Sequence, residues 1–138
     1  MNVLWITNIL FPEAIAKLTG SNELKATGGW LLGSAKMLEQ DIRIKLSVAA
    51  VSPLVRKLRV IQGVKTTYYI LPYGKGNQKY NKDYEPIWQE VKALVQPDVV
   101  HLHGTEYTHG LAYINACGSE NMVVSIQGMK SAYYYYYY

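Results

Sequence analysis

The sequence contains a single cysteine, Cys117, among its 138 residues. One cysteine cannot form an internal disulfide and cannot supply two thiolate ligands to a metal, so a disulfide framework and a multi-cysteine zinc site are both excluded. A reducing cytoplasm is the simplest location for such a chain. Because no histidine adjoins Cys117 in the sequence, an inert buried thiol is favoured over a nucleophile.

Long apolar runs are also missing. No stretch approaches the roughly 18 uninterrupted apolar residues that a membrane span requires. The opening segment MNVLWITNIL lacks the basic start of a signal peptide, and Thr7 and Asn8 interrupt its apolar run. It is therefore predicted to be a first strand, buried on both faces.

The excess of positive charge is small, with 14 basic and 10 acidic residues and a formal net charge of +4. The basic residues are scattered, and only the segment VRKLRV forms a cluster, so nucleic-acid binding is not expected. Attraction to phosphate-bearing small molecules or to anionic lipids stays open. A peripheral contact with the inner face of the membrane is therefore compatible with the sequence.

The two common phosphate-binding signatures are absent: no G-x-G-x-x-G follows the first strand, and no Gly-Lys-Ser/Thr of a Walker loop is present. Gly28 and Gly29 nevertheless precede a predicted helix. Two residues without side chains allow backbone N–H groups to approach an oxyanion, and the helix start adds partial positive charge. The alternative interpretation is a flexible loop end beside a helix cap.

Apolar periodicity predicts alternating strands and helices. A strand at 3–7 is followed by a long loop at 11–29, a helix at 30–40, a strand at 42–51, a β-hairpin around Gln62 and Gly63, a helix at 84–96, a strand at 97–104, a helix at 111–118 and a buried strand at 122–128. This order is typical of an α/β, Rossmann-like fold with a mostly parallel sheet and helices on both faces. Trp5, Trp30 and Trp88 are predicted to lie in its core. Spacings of three and four predict that the apolar face of the helix at 30–40 consists of Trp30, Leu31, Ser34, Met37 and Leu38.

All three histidines fall within nine positions, around the strand PDVVHLHG. His101 and His103 alternate with apolar residues and should share one face of the strand. A packed, hydrogen-bonded pair is favoured over a metal site, which would need Glu106 or His109 as a third ligand. His103, at the carboxyl end of the strand, is predicted to contact substrate, whereas His101 is predicted to be structural.

Two carboxylates, Glu13 and Glu106, are candidate acid/base groups. Neither has a second carboxylate at a useful spacing, so solvation in an exposed loop is the favoured role for each. Together with Gly104 and His109 they form the set of candidate substrate contacts near the predicted strand end.

Four segments taken together, MNVLWITNILFPEA, GGW, PDVVHLHG and VVSIQG, resemble the amino-terminal Rossmann-like domain of GT-B glycosyltransferases, specifically the retaining family four. The resemblance implies that Gly28 and Gly29 approach the diphosphate of a nucleotide-sugar donor, and that His103 lies near the transferred sugar as the catalytic residue. It implies a glycan or glycolipid acceptor and no metal or other cofactor. In that family the donor is held mainly by a second domain across a cleft.

The resemblance extends over residues 1–132, and the tyrosine-rich residues 133–138 are interpreted as the end of a truncated chain. We therefore expect no turnover from the 138 residues alone, and self-association through incompletely covered surfaces. Two alternatives remain open. A sugar-nucleotide epimerase of the same architecture would give Glu13 or Glu106 more weight, and a non-catalytic Rossmann-like binding module would need no catalytic group.

Overall fold

The computed structural model describes residues 1–21, 29–73 and 79–126, which form a six-stranded sheet and four helices. The elements are β1 (Asn2–Ile6), α1 (Pro12–Thr19), α2 (Gly29–Glu39), β2 (Lys45–Ser52), β3 (Arg59–Gln62), β4 (Thr67–Pro72), α3 (Tyr84–Val95), β5 (Val99–His103), α4 (His109–Cys117) and β6 (Met122–Ser125). No helix within these residues is both long enough and apolar enough to cross a bilayer.

The strand order is β3-β4-β2-β1-β5-β6. All neighbouring pairs are parallel except β3 and β4, which form the predicted antiparallel hairpin. β1 lies in the middle, where Trp5 pairs with Val48 of β2 on one side and His101 of β5 on the other. The predicted α/β, Rossmann-like fold with a mostly parallel sheet is confirmed.

Two apolar cores cover the two faces of the sheet. On one face α3 and α4 pack through Trp88, Val91 and Tyr113. On the other face α1 and α2 pack against a layer that includes Trp5 and Tyr68. The central strands are apolar on both faces because each face is covered by helices, as the continuous apolar run of β1 predicts.

The prediction of a loop over residues 11–29 is wrong for its first half, because α1 occupies Pro12–Thr19. Pro12 is compatible with a first helical turn, and Gly20 ends the helix in the left-handed conformation (φ 70°) with its N–H donating to the carbonyl of Ala16. A helix of eight residues is too short for its period to stand out among Pro, Gly and Thr. Residues 22–28 lie outside the described residues.

The predicted apolar face of α2 is also wrong in part. Trp30 is 53% exposed and Met37 is exposed, whereas Leu31 and Ala35, four residues apart, are buried against the sheet. The buried stripe is therefore rotated away from the predicted one. Trp5 and Trp88 lie in the core as predicted, but Trp30 does not.

Two strands differ from their predictions at their ends or in their burial. β2 was predicted to begin at Ile42, but it begins at Lys45. Ile42 is 99% exposed, beside the turn that Asp41 forms with Arg43. β6 was predicted to be buried, but it is an edge strand whose Val123 and Val124 are exposed. An apolar run alone does not distinguish a central strand from an edge strand.

Candidate functional site

The carboxyl ends of β1 and β5 lie side by side at the centre of the sheet. From β1 the chain continues to β2 on one side, and from β5 it continues to β6 on the other. Such a reversal of strand order leaves a crevice outside the strand ends, where α/β proteins bind ligands. The candidate site is therefore the surface around Ile6 and His103.

His103 is the last residue of β5, and only 3% of it is exposed. Its ring is surrounded by aromatic rings: His101 stacks on it at a centroid distance of 3.8 Å, with Trp5 at 4.4 Å and Trp30 at 5.8 Å. Neither ring nitrogen of His103 has a hydrogen-bond partner among the described residues. Buried polar atoms are rarely left in this state, because each costs about 1–3 kcal/mol without a partner.

Burial, and secondarily the neighbouring ring of His101, lowers the pKa of His103 to about 4. The imidazole is therefore neutral near pH 7 and offers one N–H donor and one acceptor nitrogen. An imidazole of this kind is suited to hydrogen bonding with a neutral ligand group, such as a hydroxyl, rather than to carrying a positive charge.

His101 is bonded differently from His103. Its Nε2 lies 2.7 Å from Oγ of Ser125, which joins β5 to β6. Burial also lowers the pKa of His101. Its ring supports that of His103, and no cluster of three potential metal ligands occurs in the described part of the chain.

The amino end of α2 lies beside His103. Gly29 is the first residue of α2, and the ring of the next residue, Trp30, rests on the imidazole. A side-chain carbon added to Gly29 would meet no heavy atom of the described residues within 4 Å. Gly29 and His103 thus lie at the same edge of the sheet, while Gly28 lies outside the described residues.

Gly104, Glu106 and Asn8 form a small bridge between the loops that follow β1 and β5. Gly104 adopts a φ of 87°, a conformation that favours glycine. Asn8 Nδ2 donates to Oε2 of Glu106 at 2.9 Å, and both side chains lie where a Cβ on Gly104 would stand. Glu106 is therefore at the predicted edge, but it accepts a hydrogen bond from Asn8 instead of being only solvated.

His109 begins α4 and is buried at the same end of the sheet. Its Nε2 lies 3.2 Å from the carbonyl oxygen of Thr7, and its own carbonyl accepts a hydrogen bond from Nε1 of Trp88 at 2.9 Å. Burial lowers the pKa of His109, although the Thr7 carbonyl opposes the shift. The first contact fixes α4 to the residue after β1 and gives the imidazole a protein partner, and the second fixes α4 to α3.

Glu13 does not join the other candidates. It lies on α1, where its carboxylate accepts hydrogen bonds from the backbone N–H of Val64 and the hydroxyl of Tyr68, both at 2.7 Å. Burial and this carboxylate raise the pKa of Tyr68. Glu13 therefore fixes α1 to the β3–β4 hairpin, at the end of the sheet remote from His103.

Three residues at the site were missed by reasoning from the sequence: Asn8, Trp30 as a cover for His103, and Ser125. Asn8 and Ser125 carry a usable signal, because each lies at or just after the carboxyl end of a predicted strand. No comparable signal exists for Trp30, whose position depends on how α2 is rotated.

Comparison with known proteins finds no matching family model and no matching curated protein. Among solved structures the chain is similar to an alpha,alpha-trehalose-phosphate synthase (UDP-forming) from Burkholderia vietnamiensis, with a TM-score of 0.51 and 12% sequence identity. What the two share is the fold. The similarity covers 90% of this chain but only 31% of the synthase chain, so this chain spans about a third of that protein. Membership of family four is not confirmed.

Proposed function

We propose that this chain is the acceptor-side domain of a retaining glycosyltransferase, which transfers a sugar from a nucleotide-sugar donor to a glycan or glycolipid acceptor. Three findings support the proposal: the order of the four sequence segments, the Rossmann-like fold shared with part of a UDP-forming synthase, and the site around His103.

The unpartnered imidazole of His103 is the observation that carries the proposal. One ring nitrogen needs an acceptor and the other needs a donor, and a sugar hydroxyl can serve either nitrogen because it both donates and accepts. The indole ring of Trp30, which is 53% exposed beside His103, offers a flat apolar face that suits the C–H face of a sugar ring. A bound hydroxyl would remove the cost of one of these two buried polar atoms, which makes binding at this point favourable.

The helix start beside His103 gives the second part of the proposal. The partial positive charge of the helix start at Gly29 favours an anion, here the donor diphosphate, and Gly28, which lies outside the described residues, is proposed to share this role. Electrostatic stabilisation of the departing diphosphate is the dominant contribution in such a transfer, and it requires no proton to reside on His103. The remaining donor contacts come from a second domain, so the 138 residues form half of the active site.

The alternative functions receive less support from the geometry. An epimerase needs a carboxylate near the anomeric carbon, yet Glu13 lies at the remote end of the sheet and Glu106 is bonded to Asn8. A non-catalytic binding module remains a competing hypothesis, and it differs from the proposal in predicting tight binding of one effector.

Calorimetric titration with acceptor sugars and with nucleotide sugars tests the proposal. We expect weak binding of acceptor sugars, with a Kd on the order of millimolar, and at least a tenfold loss in His103→Phe, which keeps a planar ring but has no nitrogen to form hydrogen bonds. Glu13→Gln is the matched control, because it keeps an acceptor oxygen for Tyr68 and lies away from the site.

The control variant should bind as the unaltered chain does, and none of the three forms should transfer sugar alone. Equal binding by His103→Phe would contradict the assignment of His103. Tight binding of a nucleotide sugar, unaffected at His103, would favour the binding-module alternative.

A further inference from the structure

The connection between β2 and β3 crosses the carboxyl edge of the sheet. β2 ends at Ser52, and β3 begins at Arg59 opposite Ile70 of β4, with β4 lying between the two strands. Residues 53–58 must therefore pass over the carboxyl end of β4. They lie at the same edge of the sheet as His103.

Two apolar side chains anchor this crossing segment, residues 53–58, on opposite faces of the sheet. Val55 is buried in the core beneath α1 and α2, and Leu58 packs against the core beneath α3 and α4. With these two side chains directed inward, the residues beside them are left outside. Leu54 is 53% exposed, and Arg56 and Lys57 are exposed.

The exposed side chains here combine positive charge with apolar surface. Arg56, Lys57 and Arg59 have no acidic partner among the described residues, where the one ion pair is that of Arg43 with Asp41. Tyr73 is exposed just after β4, and its backbone N–H donates to the carbonyl of Ser52 at the start of the crossing segment. We call this surface the basic rim: Leu54, Arg56, Lys57, Arg59 and Tyr73.

We propose that the basic rim docks onto an anionic phospholipid surface. Three unpaired cations complement the negative charge of such a surface, each strengthening binding by about fivefold. The exposed leucine and tyrosine are side chains that enter the interfacial region of a bilayer, where tyrosine keeps its hydroxyl at the headgroups. This docking goes beyond the proposed sugar transfer and does not require it.

The position of the basic rim adds a consequence for the acceptor, and this consequence rests on the proposed function. β2 and β1 lie between β4 and β5, so three strand spacings of about 4.8 Å separate these two strands. The basic rim at the end of β4 is therefore roughly 15 Å from the end of β5. A bilayer at the rim would bring lipid headgroups close to His103. A glycolipid is then the class of acceptor that the site would meet.

Vesicle flotation measures the docking directly. The chain is mixed with vesicles of phosphatidylcholine alone, or with roughly 30% phosphatidylglycerol, in low salt. We expect the chain to float with the anionic vesicles only, and to be released by salt because screening weakens the attraction. Binding should fall on the order of 100-fold in Arg56→Gln/Lys57→Gln/Arg59→Gln and about tenfold in Leu54→Ser.

A second triple variant provides the matched control. Lys36→Gln/Lys45→Gln/Lys65→Gln removes the same charge from exposed residues outside the rim: Lys45 and Lys65 lie at the opposite end of the sheet, and Lys36 is on α2. It should lose less than tenfold in binding. An equal loss in both triple variants would overturn the proposal, because net charge rather than the rim would then govern binding.

Two other results would also overturn the proposal. The first is equal flotation with neutral vesicles. The second is full release by millimolar inorganic phosphate at constant ionic strength, because that result would identify a site for free phosphate. Circular dichroism of each variant shows whether it is folded, and Leu54→Ser, which alters one exposed side chain, tests the rim even if a triple variant unfolds. Flotation uses no sugar, so its failure would leave the calorimetric test of the proposed function intact.

Discussion

His103 belongs to the candidate site and also makes the stability of the protein depend on pH. Its neighbour His101 and the more distant His109 share its depressed pKa, in each case with burial as the first cause. The spacing of His101 and His103 was sufficient to predict that they share a strand face. That both nitrogens of His103 lack a partner among the described residues could not be predicted, because it depends on Trp5 and Trp30, which belong to other elements.

The histidine cluster should make the protein less stable in mild acid. The pKa of His103 is about 4 in the folded chain and about 6.5 when unfolded, so the unfolded state takes up the proton first. The stability that this residue contributes is complete above about pH 6.5 and is lost as the pH falls towards 4. Between pH 7 and pH 5, the unaltered chain should lose about 2 kcal/mol more of its unfolding free energy than His103→Gln does. Urea unfolding at the two pH values measures this difference.

Comparing the unaltered chain with His103→Gln isolates the contribution of the His103 imidazole, because the carboxylates titrate in both proteins. A lower overall stability of His103→Gln does not affect the test, which rests on the change with pH. Parallel losses in the two proteins would mean that the imidazole takes up its proton equally well in the folded chain.

The helices differ in how far their packing could be inferred from their own sequence. The periods of α2 and α3 indicated where each lies along the chain, but the buried stripe of α2 is set by contacts with the sheet. α1 was missed because eight residues give too few turns for a period. α4 approaches β5 closely through Gly110, a contact that the spacing of apolar residues does not reveal.

Two helical glycines provide a matched test of this close approach. A Cβ at Gly110 would lie 2.5 Å from Cδ1 of Leu102, a buried residue of β5, whereas a Cβ at Gly33 in α2 would meet nothing within 4 Å. Gly110→Ala should lower the unfolding free energy by about 1 kcal/mol or more, since overpacking outweighs the gain in helix propensity. Gly33→Ala should raise it by up to about 1 kcal/mol. Thermal unfolding of both variants measures the two effects, and a stabilised Gly110→Ala would refute the tight packing.

At the scale of the whole molecule, the alternation of strands and helices was enough to predict the Rossmann-like sheet, since short right-handed connections leave few other arrangements. The order of the strands places β3 and β6 at the edges. β3 carries Arg59, a charge of the kind that discourages pairing with another chain, whereas Met122–Ser125 of β6 contains no charge. The local apolar pattern of β6 is that of a covered strand, which is why its exposure was not predicted.

Self-association through β6 is the expected result of this asymmetry. Val124→Lys should shift the chain towards monomer, because a lysine on an edge strand opposes pairing with a second copy. Val60→Lys, which places the same change on an exposed valine of β3, is the control and should leave association unaltered. Sedimentation over a range of concentrations measures both, and a monomeric unaltered chain at millimolar concentration would count against the prediction.

The placement of Trp30 has one more consequence for how a ligand reaches the site. The indole that covers His103 is attached to the residue directly after Gly29, at the positive end of α2. An anion drawn to that helix start would sit next to the cover itself. The two groups of the proposed transfer, an anion and a neutral hydroxyl, would then bind in adjoining positions, at Gly29 and beside the ring of Trp30.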